Sequence, residues 1–305
     1  MILIWLVLPL LLADYSLYRI SQAGAFAVAI VGLNLLIGLS GQLSIGHSAF
    51  FALGAYIAAL TMGAEGQFAY VALMAAGIVC FVIGFGFGWS TLRLGNMHLL
   101  LATWGLALAL PQLLKSTHLE PWTGGVSGIY LEKPGTPFGL PFSNDTWWHY
   151  ITLMVLLIML SAAYGLAKGR IGRALCSIRD NPQAAASMGI NVRLYKATIF
   201  GISALYAGVA GALAGLLSDF VGPGTYDIFF AMLLLVGAVV SGLGGIWTAI
   251  LGGLLIEFLP DAATAAIGSR SFPGIAYGVI LIFMVYLMPQ GFAGLLEKWR
   301  RRQNG

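Results

Sequence analysis

Gly38-Leu39-Ser40-Gly41-Gln42-Leu43-Ser44-Ile45-Gly46-His47-Ser48 sets three glycines and a run of hydroxyl, amide and imidazole groups inside an apolar tract, with no lysine or arginine to mark an aqueous loop. Irregular backbone is tolerated at membrane depth only where protein buries it or water reaches it. The chemistry on offer is hydrogen bonding. A broken helix frees N–H and C=O groups that can meet a polar solute along a transport path. The competing reading is a tight cytoplasmic turn whose polar residues satisfy one another. Gly41, Gln42, Ser44 and Gly46 are the candidate path-lining positions, with His47 beside them. A lone histidine in such surroundings is read as hydrogen-bonded structure before it is read as a proton carrier.

The second feature is basic. Residues 168–196, KGRIGRALCSIRDNPQAAASMGINVRLYK, are a water-compatible insertion between apolar stretches. Within it Asp180 or Asn181 suits a helix N-cap, Pro182 the first helical position and Gly189 the left-handed stop. That spells a two-turn helix with both ends marked, a handle for another protein. The alternative is a solvated basic loop that serves topology alone.

Other candidates carry less. Ser241-Gly242-Leu243-Gly244-Gly245-Ile246-Trp247 reads as a hairpin turn between neighbouring helices, with a second copy of the first break as the alternative. Glu257 is a carboxylate inside an apolar span, facing a wet vestibule or paired with Arg270. So few intramembrane acids argue that the energy for transport comes from elsewhere. The four histidines (47, 98, 118 and 149) are scattered, and no HExxH, GxSxG or paired-carboxylate motif occurs. With no GxxxxGK[ST] phosphate loop the chain is not its own ATPase by that chemistry. Cys80 and Cys176 have neither metal spacing nor a disulfide rationale.

The elements that position these groups must be membrane helices. Of 305 residues 59% are hydrophobic and 9% charged, and mean hydropathy is +0.91. A soluble domain carries nearly three times that share of charge. The pI near 9.1 does not indicate nucleic acid, since the basic residues fall between hydrophobic spans. Expected spans are 1–18, 20–38, 46–62, 69–92, 97–115, 149–167, 196–217, 228–244, 246–267 and 272–290. Met1–Ala13 lacks the marks of a cleaved signal and is expected to belong to a retained first span.

This threading puts Arg93, Lys168, Arg170, Arg173, Arg179, Arg193, Lys196, Lys298, Arg300, Arg301 and Arg302 on one side, against Arg19, Lys115, Lys133 and Arg270 on the other. The positive-inside rule then makes both termini and the 168–196 insertion cytoplasmic, and loop 116–148 external. The expectation is an all-α polytopic membrane protein of about ten transmembrane helices with broken or re-entrant segments. Trp122, Trp147 and Trp148 bracket the external loop at headgroup level. Small residues at four-residue spacing (Ala204, Gly208, Ala212; Gly211, Gly215; Ala249, Gly253) suit tight helix packing, whereas Gly84, Gly86 and Gly88 fit no such stripe.

Three blocks carry a family resemblance. NLLIGLSGQLSIGHSAFFALGAYIAAL (34–60) resembles the signature of branched-chain amino acid ABC permeases of the high-affinity, binding-protein-dependent type. GRALCSIRDNPQAAASMGINVRLYKATIFGISALYAGVAGAL (172–213) resembles that family's cytoplasmic loop and following span. TGGVSGI (123–129), with Thr123, Gly124, Gly125 and Gly128, is similar to its external TGG-x-x-G motif. The first block leans toward the permease with the longer external loop.

The resemblance implies one permease domain over 1–305 in a bacterial inner membrane, paired with a paralogous permease subunit. It further implies two cytoplasmic ATPases that hold ATP and Mg, so this chain binds no cofactor, and a periplasmic solute-binding protein delivering leucine, isoleucine or valine. Residues 168–196 become the coupling loop, with Asn181, Pro182, Gln183, Ala184, Ala185 and Gly189 seated on an ATPase. Importers often carry Glu-Ala-Ala with a following Gly at this position. Here Gln183 replaces the Glu, so a charged pairing is not implied while the helix and its stop are kept. A permease for urea or short-chain amides is the runner-up. A stand-alone channel or carrier, moving solute without any ATPase, is the competing class.

Overall fold

A computed structural model describes residues 14–62, 68–91, 96–131, 143–267 and 291–294, with Trp5, Pro9, Gly135 and Gly278 singly. The expected span 272–290, apart from Gly278, and both termini lie outside the described residues. The described chain is helical: α1 (Asp14–Ser40), α2 (His47–Thr61), α3 (Ala69–Thr91), α4 (Asn96–Leu114), the short α5 (Glu120–Thr123), α6 (Asn144–Lys168), α7 (Arg170–Asp180), α8 (Pro182–Ser187), α9 (Val192–Leu217), α10 (Ile228–Ser241) and α11 (Ala249–Ile267). Among them α1, α3, α6 and α9 are long and apolar enough to cross a membrane, and α2, α4 and α10 are shorter apolar helices. The all-α expectation meets one exception. β1 (Ile129–Tyr130) pairs antiparallel with β2 (Phe220–Val221), tying the 116–148 loop to the end of α9.

The apolar stretches of α1 and α9 are buried over most of their surface, as a helix stretch without a polar face must be. α9 lies against α1, α2 and α3, while α6 and α11 flank α1. In lipid no hydrophobic gain draws helices together, so close backbone approach carries the contact. A Cβ at Gly54 would lie 2.0 Å from the Gly208 carbonyl oxygen, and one at Gly211 would lie 1.9 Å from that of Phe51. Gly84 and Gly88 also belong to this set, against the expectation that they fit no stripe. They sit one turn apart on α3 and receive Ala204 and Phe200 of α9, and only Gly86 between them faces open space.

Two further expectations are corrected. The break between 1–18 and 20–38 does not exist, because α1 runs unbroken through Arg19. A charge at this depth is costly unless paired, and Arg19 is paired. Its Nε donates to Glu257 Oε1 at 2.8 Å, Nη2 donates to the Glu257 carbonyl at 2.8 Å, and Nη1 reaches Asp261. Among the described residues the partner of Glu257 is thus Arg19; Arg270 lies outside them. Trp148, expected at headgroup level, is 2% exposed and stacks on Tyr70, whereas Trp122 is exposed.

Candidate functional site

The first break starts where α1 stops. Ser40 ends the helix with its hydroxyl turned back on the Leu36 carbonyl, and Gly41 takes the left-handed conformation (φ +67°) that lets its N–H reach Ile37 O at 3.0 Å. Beyond it Gln42, Ser44 and His47 find partners, while Ser48 Oγ and Gln42 Oε1 have none among the described residues. Gln42 Nε2 donates to Ser40 Oγ at 3.0 Å and to the Lys196 carbonyl at 3.3 Å. The Ile45 N–H donates to Thr103 Oγ1, and a Cβ at Gly46 would lie 2.8 Å from Thr103 O.

His47 opens α2 and spans the site. Its Nε2 lies 2.6 Å from Ser203 Oγ, and Ser203 Oγ donates to the Gly32 carbonyl at 2.7 Å. The serine proton is thereby used, so Nε2 carries the ring hydrogen and Nδ1 accepts from Ser44 Oγ at 3.0 Å. The chain of bonds ends in a backbone carbonyl, a dead end for a proton. Both ring nitrogens of His47 are thus engaged within this chain. Gln42, Ser44, Gly46 and His47 are all buried within this chain, and Gly41 is the exposed member of the set.

The second break touches the first. Gly242 and Gly244 adopt positive φ, Gly245 N–H donates to Gly242 O, and Asn34 of α1 donates to both Ser241 Oγ and Gly245 O at 2.9 Å. A Cβ at Gly38 would lie 2.5 Å from Gly244 Cα. Two glycine-rich segments two hundred residues apart therefore meet backbone to backbone.

The basic insertion is mostly helix. α7 adds a second helix beyond the one that the sequence marks at both ends. It buries Gly172, Leu175 and Ile178 at three-residue spacing and leaves its arginines toward water. The structure chooses Asn181 over Asp180 as the cap of α8: Asn181 Oδ1 accepts from the N–H groups of Gln183 and Ala184, with Pro182 in the first turn. At the far end Ile190 N–H reaches Ala185 O and Gly189 N–H reaches Ala186 O, with Gly189 at φ +83°. This crossed pair is the Schellman stop that glycine favours. Pro182, Gln183, Ala184, Ala186 and Met188 are exposed, Met188 at 84%, while Ala185 is turned inward.

Arg179, which residue types alone did not single out, joins the two features. From the last turn of α7 its Nη1 donates to the Gly38 carbonyl, its aliphatic stem covers Gly41, and its Nη2 pairs with Asp180 at 3.1 Å. Together with the Gln42–Lys196 bond it grips the first break from both flanks of the insertion, α7 before α8 and α9 after it.

At the opposite end Thr123 Oγ1 donates back to Leu114 O and accepts from Gly125 N–H. Gly124, Gly125 and Gly128 all take positive φ, and Gly128 lies against Val221 O and the Phe220 ring. The TGG-x-x-G segment is a pinned turn under the β-ribbon, on the wall of a cavity of about 660 Å³. Among the described residues no cluster of three His, Cys, Asp or Glu side chains is placed to hold a metal.

Comparison with known proteins follows the same geometry. A family model described as "Branched-chain amino acid transport system / permease component" matches residues 16–288. The high-affinity branched-chain amino acid transport system permease protein LivM of Escherichia coli (strain K12) is 28% identical over 303 residues, covering 90% of this chain and 69% of the relative. LivH of Salmonella typhimurium is 25% identical over 301 residues, covering 91% and 94%. BraD of Pseudomonas aeruginosa is 24% identical over 294 residues, covering 91% and 94%. No solved structure gives a significant match.

Proposed function

The chain belongs to the permease-component family of branched-chain amino acid transport systems, and from that premise we propose that it forms one half of the membrane pathway of an ATP-driven importer for leucine, isoleucine and valine. Its partner across the membrane is a paralogous permease, as the pair of relatives LivM and LivH suggests. Two ATPases holding ATP and Mg work on the cytoplasmic face, and an external solute-binding protein delivers the amino acid. The complex sits in a bacterial inner membrane, with about ten crossings and both termini cytoplasmic.

In this reading α8 is the seat of an ATPase. A six-residue helix does not hold itself together in water, so two sealed ends and a buried Ala185 give it a shape a groove can grip. The docking face is Gln183, Ala184, Ala186 and Met188. When the ATPases close, force on α8 passes along α7 and α9, and the first break is what those helices hold. The observation that carries this is the double grip: Arg179 on Gly38 and Gly41 from one flank, Lys196 O on Gln42 from the other. Gly41 lies on the path surface; Gln42, Ser44, Gly46 and His47 brace the wall behind it.

Reconstituted with the paralogous permease, both ATPases and a leucine-loaded binding protein, the chain drives ATP-dependent leucine uptake. Ala184→Asp puts an unpaired charge on the docking face, which is expected to abolish uptake while membrane insertion stays normal. Leucine uptake by the chain without any ATPase, or full uptake by the Ala184→Asp complex, would overturn the reading.

A further inference from the structure

The cavity of about 660 Å³ beside the TGG-x-x-G turn takes no part in the grip on the first break. Buried Met62 and half-buried Ile129 and Leu131 give it an apolar base. Its edge is different. Glu120, Trp122 and Tyr130 stand there exposed, Trp122 at 67% and Tyr130 at 82%. Among the lining residues Glu120 alone carries a charge at neutral pH, and its carboxylate has no partner among the described residues. Its stem is nevertheless placed. Glu120 begins α5, and a Cβ at Gly125 would lie 2.9 Å from its Cγ and 3.2 Å from its Cδ, so the second glycine of the motif leaves that side chain its room. The turn beneath is pinned by Thr123 Oγ1 on Leu114 O, by Gly124 N–H on Glu120 O at 2.9 Å and by the β1–β2 pairing. A carboxylate and two exposed aromatic rings on a pinned turn form a seat with little ordering left to do on binding.

An apolar groove edged by one unpaired carboxylate and two aromatic rings fits a guanidinium on an aliphatic stem. The planar cation stacks on a ring face while it pairs with the carboxylate, and its methylenes cover apolar surface. We infer that the external solute-binding protein docks in this groove, through a surface arginine set beside an apolar neighbour. The inference rests on the importer reading for the existence of that partner. The lining comes from the last turn of α2, from α5 and from β1, at the end opposite the basic insertion, where a water-borne protein reaches it. Charge complementarity with Glu120 then steers the encounter and fixes the register. α2 begins at His47 and ends at Thr61, so a protein seated on its last turn bears on the helix that starts at the first break, about 22 Å away.

The test measures binding of leucine-loaded binding protein to the assembled complex of both permeases and both ATPases, nucleotide-free, in detergent and in lipid nanodiscs. Glu120→Gln is expected to weaken binding about tenfold, the worth of one charge-assisted contact, and to flatten its dependence on salt. Trp122→Ala weakens it at least as much. Both side chains are exposed, so the fold is kept, which co-purification of all four subunits checks. Glu120→Arg abolishes binding, and among arginine-to-glutamate changes scanned over the binding protein's surface one restores it. Wild-type affinity in both Glu120→Arg and Trp122→Ala would overturn the docking site, while leucine uptake by the wild type leaves the importer reading standing. Losses seen in nanodiscs but not in detergent would make the groove a seat for a lipid headgroup, which overturns it as well. A wild-type complex that neither binds the loaded protein nor takes up leucine would sink the importer reading itself, and the groove's partner with it.

Discussion

The two glycine-rich breaks meet at one point and are built in opposite ways. The first, at 38–48, is wired by side chains: Ser40, Gln42, Ser44 and His47 each find a partner, and Thr103 and Ser203 reach in from α4 and α9. The second, at 241–248, is nearly bare. It turns on the positive φ of Gly242 and Gly244, and α1 secures it through Asn34. Unpaired buried backbone is expensive, so both must be satisfied. One does so with side chains that fix it to its neighbours. The other uses residues so small that its backbone lies directly on Gly38. The wired break is also the one the basic insertion grips, so under the proposed coupling rigidity lies where force would arrive.

The sharpest way to break this arrangement is to put bulk at the contact. Gly38→Val would set a Cβ 2.5 Å from Gly244 Cα and 2.7 Å from its N, and backbone cannot step aside as a side chain can. The expected result is loss of folded protein, a destabilisation above about 4 kcal/mol, read as collapse of the detergent melting transition. The reverse change is milder. A Cβ at Gly244 would meet only Gly38 Cα at 3.7 Å, so Gly244→Ala bears chiefly the strain of φ +87°, about 1–2 kcal/mol. Equal losses would mean that the contact is not where the two breaks are held.

Side-chain wiring should be worth more in the first break than in the second. His47→Ala removes both ring bonds and leaves a void among Phe50 and Phe200, for about 3 kcal/mol. Asn34→Leu removes two donated bonds, but Ser241 keeps its bond to Ala238 O, so the loss is about 1 kcal/mol. Melting temperatures of the two variants, measured side by side, give the order. A larger loss at Asn34 would reverse the comparison.

What sequence reveals here divides along the same line. The caps of α8 are visible because Asn181, Pro182 and Gly189 obey rules that act within a few residues. The first break is visible because polar residues in an apolar tract must be satisfied somewhere. Where they are satisfied is not visible. Ser203 is 156 residues from His47, and Asn34 is 207 from Ser241. Arg19 looked like the end of a span because a charge there costs so much alone, and its partner Glu257 lies 238 residues on. The spacing of Gly172, Leu175 and Ile178 does mark α7 as amphipathic, yet the basic residues around them read first as loop. Gly84 and Gly88 make sense only once Ala204 and Phe200 are seen packed on them.

The smallest effect on stability is expected where the effect on transport is most informative. The Arg179 side chain is 44% exposed, and its pairing with Asp180 lies in water, so Arg179→Gln should cost under about 1 kcal/mol. Glutamine keeps a donor and part of the stem but cannot span both Gly38 O and the cover over Gly41. If force crosses from α7 to the first break at this contact, the variant complex assembles and hydrolyses ATP, yet moves fewer leucine molecules per ATP. Arg179→Lys restores a donor that reaches one carbonyl and should recover part of the ratio. The measurement is leucine uptake divided by ATP hydrolysed in the same vesicles, which a loss of folded protein leaves unchanged. An unaltered ratio in Arg179→Gln would mean that α7 leans on the break without driving it, and that coupling runs through α9 and the Gln42–Lys196 bond instead.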